Sequence, residues 1–267
     1  FVAVLKMGVA GVAWATFICQ GVSCILAVAV IVKRLTKIHT DGKVPFFSVE
    51  LLKKISAIAV PSILQQSFVS VGNIFIQGLV NKFGAVVVAG FSAAGKLNTF
   101  TITTLCALGN SMSSFTAQNV GANKIDRIKK GVKHLYIMSY AITFPLFVLF
   151  FFFPQNMMQI FVTSNDIEII NVGINFLKIV SPFYLFIAIK LIIDGVLRGC
   201  GKMKMFMVST FSDLLLRVAL SFALSPIFNE LGIWYSWPVG WLLATIISSF
   251  FFFTGMWKKN IHNLTQN

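Results

Sequence analysis

Charged residues are scarce in this sequence of 267 residues. Only 11% of them are charged and 57% are hydrophobic, whereas a typical soluble domain is about 25% charged and about 45–50% apolar. Several apolar runs exceed the roughly 20 residues that cross about 30 Å of hydrocarbon. The composition therefore excludes an ordinary soluble protein and predicts an all-α integral membrane protein.

Patterns that would indicate an active site or a metal site are also missing. The four cysteines show neither CxxC nor Cys/His spacing, and the three histidines lie in or next to basic loops. No apolar segment contains GxSxG or HExxH. We therefore expect no metal, no cofactor and no enzymatic activity. The sequence also lacks the repeated selectivity element of a passive channel.

Acidic residues are the rarer charged type, at 8 against 22 lysines and arginines. A nucleic-acid binder would gather its basic residues on one folded face. Here they follow every second apolar segment instead, as cytoplasmic loops do under the positive-inside rule. We therefore predict a multi-pass protein of the plasma (inner) membrane with a cytoplasmic C-terminus, with membrane lipid as a partner and no nucleic acid. The basic stretches are residues 33–54, 124–133, 198–204 and 258–259.

Seven apolar segments predict seven transmembrane helices, at about residues 9–32, 55–80, 85–115, 135–153, 169–197, 206–228 and 233–257. The first and the last begin after a glycine, Gly8 or Gly232, and end at a basic pair. This weak repeat suggests two lobes, of which the first is mostly missing from the chain. We expect residues 1–34 to hold the last span of an N-terminal lobe, 35–54 a cytoplasmic linker, 55–259 a six-helix C-terminal lobe and 260–267 a cytoplasmic tail.

Polar side chains interrupt the second and third apolar segments. They are costly in lipid, so they must face protein or a water-filled cavity. Gln66, Asn73 and Gln77 are spaced by seven and four residues and form one helical stripe. Two interpretations stay open, a substrate cavity and hydrogen bonding between helices. The cavity candidates are Gln65, Gln66, Asn73, Gln77, Lys96 and Asn98.

Ionisable residues in the fifth and sixth segments form a second candidate group. Lys190 and Asp194, and likewise Asp213 and Arg217, are four residues apart and therefore share a helix face. The rise of a helix places Lys190 and Asp213 at a similar depth, about 12 to 13 Å from the inner ends of their spans. They form either structural ion pairs or a site for a coupled ion. Trp234 and Trp237, next to Pro238 and beside an expected outer end, are interpreted as interface anchors.

An ordered set of short motifs resembles the multidrug and toxic compound extrusion (MATE) transporters, from about their sixth to their twelfth span. In that family the seventh span opens with a proline followed by LQQ-like residues, the eighth ends in LG followed by a QN-x-GA turn, and the tenth ends in RG-x-G. The matching structural positions here are Pro61, Leu64, Gln65, Gln66, Leu108, Gly109, Gln118, Asn119, Gly121, Ala122, Arg198, Gly199 and Gly201.

The resemblance implies a secondary active efflux transporter that exports amphipathic or cationic organic compounds in exchange for Na⁺ or H⁺. Its partners would be small organic substrates and the missing N-terminal lobe of the same protein. A lipid-linked saccharide flippase of the same superfamily is the alternative. Val69 stands about where some members carry a cation-binding Glu, and Ile187 near the place of its Asp partner. The coupling ion is therefore left open.

Overall fold

The structure, a computed structural model, describes residues 1–2, 4–36, 47–162 and 166–258. This part of the chain contains helices and no strand. The α-helices are α1 (Gly8–Leu35), α2 (Val49–Val80), α3 (Ala85–Gly121), α4 (Ile125–Phe152), α5 (Pro154–Gln159), α6 (Ile167–Val180), α7 (Tyr184–Gly199), α8 (Met203–Phe228) and α9 (Glu230–Phe253). Seven helical segments are long and apolar enough to cross a membrane, α6 and α7 counting as one. The predicted all-α membrane fold is confirmed.

The chain divides into two compact units, Phe1–Leu52 and Lys53–Asn267. In the first unit, α1 exposes nearly all of its side chains and buries Gly11. The second unit holds most of α2 and all of α3 to α9. The assignment of residues to lobes, linker and tail stays a prediction. Half of the expected linker (37–46) and all of the expected tail (260–267) lie outside the described residues.

Helix α7 is the innermost helix of the second unit. Its residues 192–197 are all buried, and it packs against α3, α4 and α9. Glycines permit the close approach of α3 and α7. A Cβ atom on Gly109 would come within 2.7 Å of the carbonyl oxygen of Leu191, and one on Gly199 within 2.5 Å of that of Ser113. The backbones of α3 and α7 therefore come into contact at these glycines, which have no side chain to hold the helices apart.

Trp234 lies in the apolar core and not at an interface. It is 0% exposed, and the ring of Phe91 stacks on it with 4.9 Å between centroids. Phe176 contacts it edge-on at 5.2 Å. The prediction of an interface anchor was wrong because the tryptophan faces the α3 and α6 side of α9, where aromatic packing outweighs the preference of an indole for the membrane boundary.

Helix ends differ from the expected turns in two places. Gln118 and Asn119 were expected in a turn but lie within α3, which continues to Gly121. The Asn119 side chain donates to the carbonyl oxygen of Phe115 at 2.7 Å, and the carbonyl oxygens of both residues accept backbone bonds from Ala122 and Lys124. The polar side chains thus complete the helix end. The fifth span breaks into α6 and α7 at Ser181–Phe183, where Pro182 lacks the N–H that a continuous helix needs.

Candidate functional site

Three adjoining cavities of the second unit, with volumes of about 540, 250 and 240 Å³, form what we call the polar face. Asn73 and Asn98 line both the first and the second, and Gln65 and Lys190 line both the second and the third. All the polar candidates from the sequence line one or more of these cavities. They are Gln65, Gln66, Asn73, Gln77, Lys96, Asn98, Lys190, Asp194, Asp213 and Arg217. Their role in binding stays a prediction.

Helix α2 contributes amides to each of the three cavities. It is held against α8 by Gly72, which lies against the side chain of Leu214, and by an edge-on contact of Phe68 with Phe211 at 5.0 Å. Gln77 Nε2 donates to Asn81 Oδ1 at 3.0 Å. That bond ties Gln77 to the connection between α2 and α3.

Helix α3 carries Lys96 and Asn98, whose surroundings differ. Asn98 is buried, and its Oδ1 accepts a hydrogen bond of 3.0 Å from the Tyr184 hydroxyl of α7. Lys96 is exposed, with Nζ 5.4 Å from the ring centroid of Phe161. Asn98 is therefore fixed by its partner, whereas the ammonium of Lys96 is accessible at the largest cavity of the polar face.

Lys190 and Asp194 form a close, buried ion pair. Lys190 Nζ lies 2.9 Å from Asp194 Oδ2, and the side chains are 6% and 2% exposed. The other carboxylate oxygen accepts from Ser248 Oγ at 2.8 Å, and Lys190 Nζ also donates to Thr210 Oγ1 at 3.5 Å. Because each charge has further hydrogen-bond partners, this pair resembles the arrangement that makes a buried ion pair tolerable.

Asp213 and Arg217 form a looser buried pair. Arg217 Nη2 lies 4.0 Å from Asp213 Oδ2, and the guanidinium carbon lies 4.7 Å from the ring centroid of Trp237. Within the described part of the chain, Asp213 Oδ1 has no hydrogen-bond partner. Helix α9 passes close to it at Gly240, where a Cβ atom would come within 2.5 Å of that oxygen. Asp213 is thus a buried carboxylate beside a cavity, and its Oδ1 lies against Gly240 without a hydrogen-bond partner among the described residues.

The motif residues mostly shape helix ends and crossings. Arg198, four residues after Asp194, donates to Asn110 Oδ1 at 2.9 Å and lies over the Phe206 ring at 5.2 Å. Gly201 has a φ of +69°, and the neighbouring Lys202 amide donates to the Leu197 carbonyl at 2.8 Å. This geometry is a glycine-terminated helix end. Pro61 lies half-buried inside α2.

Metal ligands do not gather in the described residues, where no three His, Cys, Asp or Glu side chains form a group that could hold an ion. The carboxylates of the polar face lie beside Lys190 and Arg217 instead. The chemistry of this site is thus hydrogen bonding by amides together with paired charges.

The MatE family model matches residues 61–223, more than half of the sequence. The chain belongs to the MatE family. This result confirms the resemblance to MATE transporters. The probable multidrug resistance protein YpnP of Bacillus subtilis is 24% identical over 259 residues, which cover 97% of this chain and 57% of that protein. The chain therefore spans little more than half the length of this relative.

Solved structures of transporters have the same fold as this chain. The MATE transporter VcmN of Vibrio cholerae superposes with a TM-score of 0.83 at 17% identity, over 98% of this chain and 59% of that one. A MOP superfamily transporter from Pyrococcus furiosus gives 0.81 at 20% identity, with the same coverage of both chains.

Several residues at or next to the polar face were not predicted from the sequence. They are hydroxyl, amide or aromatic side chains that ordinary membrane helices also contain, so their type gave no signal. Each meets its partner from a different helix, a pairing that no spacing along the chain reveals. Asn110, Thr210, Trp237 and Trp241 line the cavities of the polar face, whereas Tyr184 and Ser248 bond to residues that do.

Proposed function

We propose that the protein containing this chain is a secondary active transporter that exports amphipathic or cationic organic compounds in exchange for Na⁺ or H⁺. Membership of the MatE family supports export, and YpnP carries the name of a probable multidrug resistance protein. The missing lobe would supply the other wall of the substrate path, and rocking of the two lobes would alternate its access.

The observation that carries the proposal is the contrast between the two buried carboxylates of the polar face. Asp194 has a lysine 2.9 Å from Oδ2 and a serine 2.8 Å from Oδ1. Asp213 has an arginine 4.0 Å from Oδ2, and its Oδ1 has neither an ion-pair contact nor a hydrogen bond among the described residues. A group that binds and releases an ion must be able to exchange its partner. We assign that part to Asp213 and a structural part to Asp194.

The charges of the polar face give less support to a lipid-linked saccharide flippase. Such a substrate carries a diphosphate and needs a strongly cationic cavity. Here the cations of Lys190 and Arg217 are each paired with a carboxylate. Lys96 and Arg198 add further positive charge to these cavities, and Arg198 bonds to the amide of Asn110.

Transport by the full-length protein tests the assignment. In proteoliposomes loaded with the cationic dye ethidium, a Na⁺ or an H⁺ gradient, imposed separately, should drive efflux through the wild type. Asp213→Asn should insert at near-normal abundance, because Arg217 is only loosely paired at 4.0 Å and keeps its contact with the Trp237 ring. It should lose at least about 90% of gradient-driven efflux, since the neutral amide cannot exchange a cation or proton. Asp194→Asn is the matched control, and it should instead lower abundance, because Lys190 is left buried without its charge partner.

Two results would contradict the proposal. Efflux by Asp213→Asn at the wild-type rate and abundance would remove Asp213 from coupling. Absence of ethidium efflux from the wild type under both gradients, with a folded and correctly inserted protein, would contradict export of cationic compounds.

A further inference from the structure

A cavity of about 780 Å³ lies between the end of α3 and the beginning of α4, away from the polar face. One wall is apolar and includes Met112 and Phe115 of α3 and Leu135 of α4. A Cβ atom on Gly131 would come within 2.5 Å of the Phe115 ring, so that ring lies directly against the backbone of α4. None of the residues named so far for transport lines this cavity.

The other wall is basic. Lys124, Arg127, Lys130 and His134 all line the cavity, and none of the described residues that line it is acidic. Arg127, Lys130 and His134 fall within an arc of about 60° on α4, given the 100° turn per residue of a helix. His134 Nδ1 lies 2.7 Å from the Lys130 carbonyl oxygen, so the ring donates to that carbonyl.

The position of the cavity relative to the membrane limits its occupant. The cavity begins at the α3–α4 connection and continues along the first turns of a helix that becomes apolar from Leu135. The distribution of lysine and arginine predicts that this end is cytoplasmic. Anionic lipid headgroups concentrate in the cytoplasmic leaflet, and basic pockets between transmembrane helices on that side bind them.

We propose that this cavity binds an anionic phospholipid, with the phosphate at Arg127 and Lys130 and the start of an acyl chain against Phe115 and Leu135. A cluster of cations beside an apolar wall suits a ligand that is anionic at one end and apolar at the other. A free phosphate would use only the basic wall. A zwitterionic lipid would bring a second cation against the lysines.

Lipid binding to the full-length protein provides the test. The purified, delipidated protein is titrated with phosphatidylglycerol or with phosphatidylcholine of the same acyl chains, and bound lipid is counted by native mass spectrometry. We expect a preference for phosphatidylglycerol. Arg127→Gln combined with Lys130→Gln should weaken phosphatidylglycerol binding about tenfold, from the attraction of basic residues to anionic lipid. The charge-preserving pair Arg127→Lys and Lys130→Arg should keep it.

The same helix offers a matched control. Lys129 and Lys133 are exposed, lie on the same and the next turn of α4 and do not line the cavity. Lys129→Gln combined with Lys133→Gln removes the same charge and should leave phosphatidylglycerol binding within about twofold, because these residues lie on another face of the helix.

Three results would overturn the proposal. The first is equal loss of binding in the control pair, which would indicate unspecific attraction to the positive helix. The second is equal binding of phosphatidylcholine. The third is displacement of phosphatidylglycerol by inorganic phosphate at millimolar concentration, which would indicate a site for free phosphate. Melting temperatures of all variants establish that they are folded, and the charge-preserving pair keeps the test valid if the glutamine pair unfolds.

Discussion

At the scale of single residues, the buried polar side chains of the second unit are held by partners from other helices. Asp194 accepts from Ser248, which lies 54 positions along the chain, and Asn98 accepts from Tyr184, 86 positions away. In a membrane helix such bonds satisfy groups that lipid cannot. They therefore fix which helix faces which, beyond what apolar packing alone would decide.

The bond between Tyr184 and Asn98 gives the first prediction at this scale. Tyr184→Phe keeps the ring in place and removes the hydroxyl, so buried Asn98 loses a donor. We expect a loss of about 0.6 to 2 kcal/mol in the free energy of unfolding, the range measured for hydrogen bonds between membrane helices. Chemical unfolding in mild detergent, followed by tryptophan fluorescence, measures it.

A double-mutant cycle separates this bond from changes in packing. If the hydroxyl acts through Asn98, Tyr184→Phe should cost much less stability in the background of Asn98→Leu than in the wild type. Equal costs in both backgrounds would show that the hydroxyl has another partner.

Local charge pairs could be predicted from the sequence, and long-range ones could not. The spacing of four residues correctly placed Lys190 beside Asp194 and Arg217 beside Asp213. Arg198 also lies four residues from Asp194, yet it bonds to Asn110 of α3. Helix periodicity determines which residues of one helix share a face. Which face of a neighbouring helix lies opposite depends on packing, and the sequence alone does not show that packing.

At the scale of helices, the number of spans was predictable and their ends were less so. Apolar content placed the beginning of α4 near residue 135, yet the helix starts at Ile125. Buried Ile128 and Val132 continue its apolar face through the basic turns.

Prolines were an ambiguous signal for helix ends as well. Pro61, Pro145, Pro226 and Pro238 lie inside helices, and the break at Ser181–Phe183 also contains one.

The contact between α3 and α7 gives a prediction at the scale of elements. Gly109→Ala would press a methyl group against the Leu191 carbonyl, a backbone atom that cannot rotate away. We expect a loss of about 1–3 kcal/mol in the free energy of unfolding, typical of overpacking. Thermal unfolding of the detergent-solubilised protein measures it.

Gly78 of α2 provides the control for this substitution. A Cβ atom there meets nothing within 4 Å, so Gly78→Ala should be neutral or stabilise the helix by up to about 1 kcal/mol through its better helix propensity. If both variants lost the same stability, the close approach of α3 and α7 would not be the cause.

At the scale of the whole molecule, the basic residues determine how the chain is oriented in the membrane. The net charge of +14 arises largely from connections that follow the first, third, fifth and seventh spans. Successive spanning helices run in opposite directions, so the connections after α3 and α7 share one side of the membrane, and those after α2 and α8 share the other. The positive-inside rule assigns the first side to the cytoplasm.

Cysteine labelling of intact cells tests this orientation. In a background without Cys19, Cys24, Cys106 and Cys200, single cysteines replace Lys82 or Glu230 on the expected outer side and Lys124 or Lys202 on the expected inner side. A membrane-impermeant maleimide should label the first two in intact cells and the last two only after permeabilisation. Because lysine and arginine near span ends determine orientation, labelling of Lys124→Cys in intact cells would reverse the topology. It would also place the basic cavity between α3 and α4 at the outer leaflet, where anionic lipid is rare. The proposed lipid site requires the cytoplasmic leaflet, so the same measurement tests that requirement.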